Sequence, residues 1–230
     1  MSFLKIKNLS VDYQMRKETI YAAKNLNIDI NKGEILGLVG ESGSGKSTAM
    51  NLIGCLDIPS KGSVYLSGQD ISKLEESDLA QIRGKKIGFI FQQFNLINTL
   101  SALENVMLPM MFQDVPEAIR RARAEKLLKM VDLGERMHHK PKELSGGQQQ
   151  RVAIARSLSV DPDVILGDEP TGNLDSKTGI TVMDFLKKLN KEEGKTIIMV
   201  THDDVLAKQA QKITYLKDGK VVTKSEIKRM

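Results

Sequence analysis

Apolar and polar residues alternate along the first part of the chain, which is the pattern of half-buried β-strands. Two such segments, Leu4–Lys7 and Leu26–Ile30, predict antiparallel strands, and Thr19–Ala22 predicts a third short strand between them. The residues Asn31-Lys32-Gly33 then mark a turn. We therefore expect an antiparallel β subdomain at the N-terminal end of the chain.

Farther along, short continuous apolar runs replace the alternation, and such runs are typical of parallel strands buried on both faces. They predict core strands at Glu34–Val39, Ile87–Phe91, Val164–Gly167 and Lys195–Val200. Helices are predicted at Ser47–Leu56, Glu75–Arg83 and Ser176–Glu193. Outside the core runs, strands are predicted at Ser63–Leu66, Lys212–Leu216 and Lys220–Thr223, the last two joined at Asp218-Gly219 in a hairpin. Strands and helices in this order favour an α/β core with a mainly parallel sheet.

The segment from about Leu96 to Ser159 differs from the rest, because it shows little strand pattern. Helices are predicted there at Ala102–Phe112, Pro116–Val131 and Gln149–Ser159. This indicates a helical subdomain inserted into the α/β core. The tail from Lys224 to Met230 is charged, and we expect it to fray.

Composition limits the class of protein further. The 230 residues, of which 40% are hydrophobic, are enough for one sizeable core. The single cysteine, Cys55, excludes an internal disulfide framework and suits a reducing compartment, so we expect an inert core thiol. The N-terminus lacks the pattern of a signal peptide, and no apolar run approaches the length that spans a membrane. These features predict a soluble, cytoplasmic protein without direct membrane insertion.

Charge gives little reason to expect a nucleic-acid partner. The net charge of +5 comes from 34 basic and 29 acidic residues that are mostly interspersed. Interspersed charge favours an ordinary solvated surface over a nucleic-acid or anionic-lipid surface. Aromatic residues make up only 4% of the chain, which argues against stacking platforms for single strands.

One stretch carries a specific chemical pattern. It contains the phosphate-loop motif G-x-x-x-x-G-K-[ST] and consists of Gly40, Glu41, Ser42, Gly43, Ser44, Gly45, Lys46, Ser47 and Thr48. The glycines allow a tight turn whose N–H groups face a polyphosphate, and the following helix adds its favourable dipole. Lys46 would bind the β- and γ-phosphates, and Ser47 would ligate Mg²⁺. The alternative is a Gly/Ser-rich turn with an incidental lysine, which the flanking strand and helix disfavour.

Two further segments fit the same chemistry. Asp168-Glu169 follows a buried strand, so Asp168 would hold Mg²⁺ and Glu169 would act as general base, unless the two are only a solvated acidic pair. The second segment precedes a helix and consists of Leu144, Ser145, Gly146, Gly147 and Gln148. It is either a helix N-cap with permissive glycines or a second anion cradle. Since one nucleotide rarely needs two cradles, the second would serve the nucleotide of another copy.

These motifs together resemble a known family. The phosphate loop, Gln92, the Leu144–Gln148 segment, Asp168-Glu169, Asp175 and His202 occur in the order and approximate spacing of an ATP-binding cassette (ABC) ATPase subunit. The resemblance covers essentially the whole chain. It implies an α/β P-loop NTPase fold with a RecA-like core, an N-terminal antiparallel β subdomain and an inserted α-helical subdomain.

The resemblance also implies domain organisation and partners. One cassette would span residues 1–230, with 1–92 and 160–230 forming the β subdomain plus the core, and 93–159 forming the helical subdomain with the signature segment Leu144–Gln148. Two cassettes of this family pack head to tail, with each ATP between one phosphate loop and the partner's signature segment. The cassette would lie at the inner face of the cell membrane by binding an integral membrane permease.

Four more roles are implied residue by residue, each with a plainer alternative. Tyr13 would stack on adenine, or be an exposed strand-end tyrosine. Gln92 would contact Mg²⁺ or the attacking water and sense the γ-phosphate, with Gln93 as the rival assignment. Asp175 would face the partner subunit, or only cap the following helix. His202 would contact the γ-phosphate, or be structural.

The exact residues of several segments indicate one branch of the family. Segments such as Leu52–Asp57, Phe91–Leu96 and Ala102–Val106 resemble the lipoprotein-release, macrolide-export and cell-division branch, with small departures at Glu41, Gly167 and Ala23. The methionine-rich stretch Met107–Phe112 would receive the permease, or form ordinary core.

We therefore expect a Mg²⁺-dependent ATPase that powers a permease of export, lipoprotein-extraction or mechanotransmission type. A non-transport ABC ATPase of DNA repair or translation is the alternative, although long coiled coils and paired cassettes are lacking here. A P-loop kinase or GTPase would need an acceptor site or a guanine-reading motif, and neither occurs in the sequence.

Overall fold

Two β-sheets and eight α-helices make up the part of the chain that is described. The computed structural model describes residues 2–15 and 18–227, and the side chains of residues 13–20 and 204 fall outside that description. In chain order the strands are β1 (Ser2–Met15), β2 (Glu18–Asn31), β3 (Ile35–Val39), β4 (Lys61–Leu66), β5 (Gln69–Asp70), β6 (Ile87–Ile90), β7 (Val164–Asp168), β8 (Thr196–Thr201), β9 (Lys212–Lys217) and β10 (Lys220–Val222). The helices are α1 (Lys46–Ile53), α2 (Glu76–Lys86), α3 (Ala102–Met111), α4 (Glu117–Met130), α5 (Gly146–Ser157), α6 (Ser176–Glu193), α7 (Asp204–Ala207) and α8 (Lys224–Ile227).

The first sheet is antiparallel and has the order β2-β1-β4-β5. The prediction of a separate short strand at Thr19–Ala22 is wrong, because this segment and Leu26–Ile30 both belong to the continuous β2. The pairing of β1 with β2 contains register shifts, and Asn25 has a φ of 52°. These irregularities let one strand continue across the break in alternation between the two segments.

The second sheet has six strands in the order β10-β9-β3-β8-β7-β6. Strands β9, β3, β8, β7 and β6 are parallel to their neighbours, and only the β9–β10 hairpin is antiparallel. The carboxyl ends of β3, β6, β7 and β8 therefore meet at one edge, which is where ligands bind in open α/β sheets. The expected mainly parallel α/β fold is confirmed.

Helices cover the second sheet and fill the segment between β6 and β7. Two hydrophobic clusters lie on its opposite faces: one includes α1 and the antiparallel sheet, and the other includes α3, α4, α5 and α6. Helix α5 begins at Gly146, three residues before the predicted start, because Ser145 and Gln148 form a capping box. In the tail that we expect to fray, residues 224–227 form α8, where Thr223 N donates to the Glu226 carboxylate (2.6 Å), and residues 228–230 lie outside the described part of the chain.

Burial bears on two predictions about side chains. Cys55 is buried, and burial raises the pKa of its thiol to about 11, as expected for an inert core thiol. In the methionine-rich stretch, Met107 and Met110 are buried whereas Met111 and Phe112 are 48% and 79% exposed. The stretch is therefore partly core and partly surface. Within residues 2–15 and 18–227, no helix is both long and apolar enough to cross a membrane.

Candidate nucleotide-binding site

The phosphate loop joins β3 to α1 and needs glycine at several positions. Gly43 and Gly45 have φ values of 79° and 95°, in the left-handed region that favours glycine. A Cβ at Gly45 would lie 2.4 Å from the Ala22 carbonyl oxygen, and a Cβ at Gly40 would lie 2.3 Å from that of Leu216. The loop is thus held against its neighbours by contacts that a larger residue would break.

Lys46 lies inside this loop. Its ammonium group donates to the carbonyl oxygens of Gly40 (2.8 Å) and Glu41 (2.6 Å). Burial lowers the pKa of Lys46, and the carboxylates of Glu169, Asp168 and Glu41 oppose that shift. The amine is therefore held by the loop carbonyls, within electrostatic reach of the acidic residues at the end of β7.

The start of α1 is suited to bind an anion. Its N-cap residue, Gly45, has no side chain to bond the first N–H groups, and the first turn carries no acidic residue. Free N–H groups and the helix dipole favour a phosphate at this position.

The β9–β10 turn is hydrogen-bonded to the phosphate loop, a contact that the sequence does not predict. Gly219 N donates to the Ser44 carbonyl (3.0 Å), and Lys24 N donates to the Gly219 carbonyl (2.7 Å). A chain of backbone hydrogen bonds thus connects β2, the turn and the loop. The Asp218-Gly219 signal predicts the hairpin, but nothing local in the sequence indicates which segment the hairpin touches.

Acidic residues and a histidine occupy the adjacent strand ends. Glu169 follows β7 with a φ of 43°, and its N–H donates to the Val200 carbonyl (2.9 Å). Its Oε1 lies 2.6 Å from Nδ1 of His202, which follows β8 and is 65% exposed. Burial raises the pKa of Asp168, Glu169 adds to that shift, and Lys46 opposes it.

The Gln92 side chain, just after β6, extends to the same edge of the sheet as Glu169. A Cβ at Gly172 would lie 3.0 Å from Nε2 of Gln92 and 3.2 Å from Oε2 of Glu169, so both side chains extend to the space beside Gly172. Asn173 Nδ2 also donates to the Gln92 carbonyl (2.8 Å). The structure therefore brings together Lys46, Asp168, Glu169, Gln92 and His202.

The signature segment lies apart from this group. Ser145 is exposed and caps α5, accepting from Gln148 N (3.3 Å), so the N-cap interpretation describes its local structure. A Cβ at Gly147 would lie 2.5 Å from Thr178 Cγ2, which places the segment against the start of α6. Among the described residues, no hydrogen bond joins it to the phosphate loop, and Leu144 belongs to the hydrophobic cluster on the opposite face of the sheet from the cluster that includes α1.

Asp175 caps α6, as the plainer alternative states. It accepts hydrogen bonds from Thr178 Oγ1 (2.6 Å) and Thr178 N (3.1 Å), and these bonds lower the pKa of its carboxyl group. Tyr13 lies on β1, but its side chain is outside the described part of the chain.

A cleft of 460 Å³ opens beside Glu169 and His202. Polar groups of Glu169, His202 and Asp175 line it together with Ile180 and Val205. The two apolar side chains are 56% and 66% exposed. The cleft therefore combines polar groups of the candidate site with two exposed apolar side chains.

Two long-range contacts of α5 were missed by the sequence analysis. The Gln150 side-chain amide donates to the Pro170 carbonyl, and Arg156 donates to the carbonyls of Asn95 (2.5 Å) and Phe94 (3.0 Å). Amide and guanidinium donors satisfy loop carbonyls in this way, but sequence spacing does not reveal which loops they reach.

The residues at the site fit a magnesium–nucleotide complex. Among the residues the structure describes, no cluster of three or more His, Cys, Asp or Glu side chains could hold a metal ion. Mg²⁺ usually takes one or two protein ligands and completes its shell with phosphates and water. A hydroxyl at Ser47 and a carboxylate at Asp168, beside a cradle for phosphates, match that requirement.

The fold and the site together define a P-loop nucleoside triphosphatase. Its phosphate loop follows one parallel strand, and an acidic pair and a histidine follow the neighbouring strands at the same edge.

Comparison with known proteins gives the family. The model of the family described as ABC transporter matches residues 23–172. An uncharacterized ABC transporter ATP-binding protein of Methanocaldococcus jannaschii, MJ0796, is 52% identical over 98% of this chain and 97% of its own length. The macrolide export ATP-binding/permease protein MacB of Acinetobacter baylyi is 47% identical over 98% of this chain, which spans 34% of that protein.

A solved structure supports the same family assignment as the sequence comparisons. The dimeric post-hydrolysis structure of the MJ0796 cassette, bound to ADP and Pi, superposes with a TM-score of 0.89 over 96% of this chain and 97% of that one. The chain belongs to the ABC transporter family. It is an ATP-binding subunit of transport type and not a kinase, a GTPase or a repair ATPase, which confirms the expectation from the motifs.

Proposed function

We propose that two copies of this chain bind two ATP molecules between them, head to tail, and hydrolyse them to drive a membrane permease. The observation that carries the proposal is the separation of the signature segment from the phosphate loop. Within one chain, Ser145 at the start of α5 lies apart from the phosphate loop, because α1 and α5 belong to hydrophobic clusters on opposite faces of the sheet. Each chain therefore holds two incomplete half-sites, and a second copy supplies the missing half. Removal of the γ-phosphate takes away a contact that both halves share, so the closed dimer opens after hydrolysis.

In this proposal Lys46 and the start of α1 bind the phosphates of ATP. Glu169 accepts a proton from the attacking water, and its contact with His202 keeps the carboxylate in place. The His202 ring, which is exposed beside Glu169, contacts the γ-phosphate. Gln92 senses that phosphate, because its amide extends to the same space beside Gly172 as the Glu169 carboxylate, and this position favours Gln92 over Gln93.

The remaining sequence predictions fit the same arrangement. Asp175 faces the partner from the apolar-rimmed cleft, and Tyr13 stacks on adenine. Mg²⁺, held by Ser47, Asp168 and Gln92 together with the phosphates, would neutralise charge that develops on the transferred phosphoryl group. We also propose the division into one cassette of residues 1–230, with residues 93–159 as its helical subdomain.

The permease would dock where the helical region meets the core. A groove of 330 Å³ there is lined by Phe89, Phe91, Pro109 and Arg156. Phe89 and Phe91 stack with ring centroids 5.6 Å apart, which gives the groove an aromatic floor. The exposed Met111 and Phe112 follow Pro109 along the same chain segment. A permease bound here would place the cassette at the inner face of the cell membrane, as an export, lipoprotein-release or mechanotransmission subunit.

The test uses Glu169→Gln, which removes the proposed base but keeps the shape of the side chain. We expect this variant to bind ATP, to lose nearly all turnover, and to form a dimer only with ATP, as measured by size-exclusion chromatography with light scattering. Ser145→Arg is the matched control, because it should bind ATP as a monomer and fail to dimerise. A Glu169→Gln variant that stays monomeric at saturating ATP would contradict the proposal.

A further inference from the structure

Gln150 is a buried polar residue that the proposed mechanism does not use. It lies on α5, five residues after Ser145, and only 1% of its surface is exposed. Its side-chain NH₂ donates to the carbonyl of Pro170, the residue that follows Glu169. The helix that begins with the signature segment is therefore hydrogen-bonded directly to the segment that holds the proposed base of the same chain.

The chemistry of this contact fixes how the amide is oriented. A carbonyl oxygen accepts but does not donate, so the NH₂ group must face Pro170 and Oε1 must face the other way. There Oε1 is buried without a hydrogen-bond partner, and the buried hydroxyl of Thr171, next to Pro170, has none either. Buried polar groups usually have partners, so one orphan on Gln150 and another next to Pro170 require an explanation.

Simple packing does not explain an amide at this position. An apolar side chain of the same length would fill the space and leave no orphaned acceptor on α5, although it would leave the Pro170 carbonyl without this donor. What an apolar side chain would lose is the directional bond to Pro170. This argues that residue 150 is an amide because it fixes the position of the Pro170 segment relative to α5.

The position of the Pro170 backbone determines the position of the neighbouring Glu169. A Cβ at Gly167 would lie 3.2 Å from the Pro170 ring, so Pro170 is packed against β7 on its other side. Gly172 N donates to the Glu169 carbonyl (2.9 Å), which closes a tight turn around Pro170. A movement of the Pro170 carbonyl therefore moves the backbone that carries the Glu169 carboxylate.

We propose that Gln150 is a positioning residue that links the two ATP sites of the dimer. The inference rests on the proposed function, in which Ser145 contacts the ATP bound to the partner while Glu169 acts on the chain's own ATP. When α5 moves on engaging the partner's ATP, Gln150 carries Pro170 and Glu169 with it. Occupancy of one site thus sets the geometry of the base in the other.

The first test is Gln150→Met, which keeps length and removes the hydrogen bond. We expect an unchanged KM for ATP, a kcat lower by about tenfold, which corresponds to about 1.4 kcal/mol, and a Hill coefficient for ATP that falls towards one. The matched control is Ser157→Ala on the same helix, because it removes another buried hydrogen bond, from Ser157 Oγ to the Ile154 carbonyl (2.8 Å). The control should keep both kcat and the Hill coefficient.

A second variant separates positioning from packing. In Gln150→Glu the protonated acid can donate to the Pro170 carbonyl, whereas the carboxylate repels it, and burial raises the pKa of such a carboxyl group. The ratio of its kcat to that of the wild type should therefore rise as the pH is lowered. Division by the wild-type rate removes the pH dependence that the variant and the wild type share. The same ratio for Gln150→Met should stay flat.

The failures of this inference and of the proposed function are distinguishable. If Glu169→Gln dimerises with ATP but Gln150→Met retains wild-type kcat and Hill coefficient, the link through Gln150 is wrong and the proposed function stands. A flat pH ratio for Gln150→Glu would also overturn the link. If Glu169→Gln never dimerises, the proposed function fails, and the link fails with it.

Discussion

Gly219→Ala tests whether the β9–β10 turn supports the phosphate loop, and Gly68→Ala is its matched control. Both glycines follow a residue with positive φ in a turn between two strands, and both have positive φ themselves, 72° and 83°. A Cβ at Gly68 would meet nothing within 4 Å, whereas a Cβ at Gly219 would lie 3.1 Å from the Ala22 carbonyl oxygen and 3.2 Å from the Ala23 Cα.

The magnitudes follow from these distances. An alanine in the left-handed region costs about 1–2 kcal/mol, and this applies to both variants. Overpacking against backbone adds about 1–3 kcal/mol at Gly219 only. The free energy of unfolding should therefore fall by about 1–2 kcal/mol in Gly68→Ala and by about 2–5 kcal/mol in Gly219→Ala, as measured by urea denaturation.

Only one of the two variants should change nucleotide binding. Displacement of Gly219 weakens its hydrogen bond to the Ser44 carbonyl, and the loss of about 1 kcal/mol corresponds to about a fivefold higher Kd for ATP. Gly68→Ala should leave the Kd unchanged. Equal losses of stability in the two variants, together with an unchanged Kd in Gly219→Ala, would refute the reasoning.

Three further predictions concern side chains outside the loop. Because burial raises the pKa of the Cys55 thiol to about 11, maleimide labelling at pH 7–8 should be slow in the folded protein and fast after denaturation. Met111→Glu should keep stability and ATP hydrolysis, whereas Met110→Glu should lower the melting temperature sharply, because residue 110 is buried. Ser101→Ala removes a capping box and should cost about 1 kcal/mol by urea denaturation at pH 7. The hydrogen bonds from Ser101 hold the pKa of Glu104 below its ordinary value, so this cost should shrink as the pH falls below about 4.

The sequence predicts most elements of the fold, because most depend on local pattern. Helix α6 runs from Ser176 to Glu193 as predicted, since Asp175 caps its start and Gly194, with a φ of 65°, ends it. Strand β2 was predicted as two strands because the break at Asn25 is local, whereas the pairing with β1 that bridges it is not. The predicted start of α5 is three residues too late, because the glycines there do not indicate a helix although a capping box is present.

The candidate site likewise has features that the sequence predicts and features that it does not. The phosphate loop and the Asp168-Glu169 pair are evident from the sequence, because each motif lies within one strand–loop segment. The contacts of Gln150 with Pro170 and of Gly219 with Ser44 join residues far apart in sequence. Such contacts depend on sheet order and helix packing, which motif spacing does not specify.

The head-to-tail arrangement is the central claim, and site-specific cross-linking tests it most directly. One Glu169→Gln copy would carry Ser42→Cys in the phosphate loop and another would carry Ser145→Cys in the signature segment. Both positions are exposed, and the buried Cys55 should not compete for the reagent. With a short bifunctional maleimide, we predict cross-links between residues 42 and 145 of different copies, and only with ATP. An ATP-dependent dimer that forms only 42–42 or 145–145 cross-links would contradict the claim.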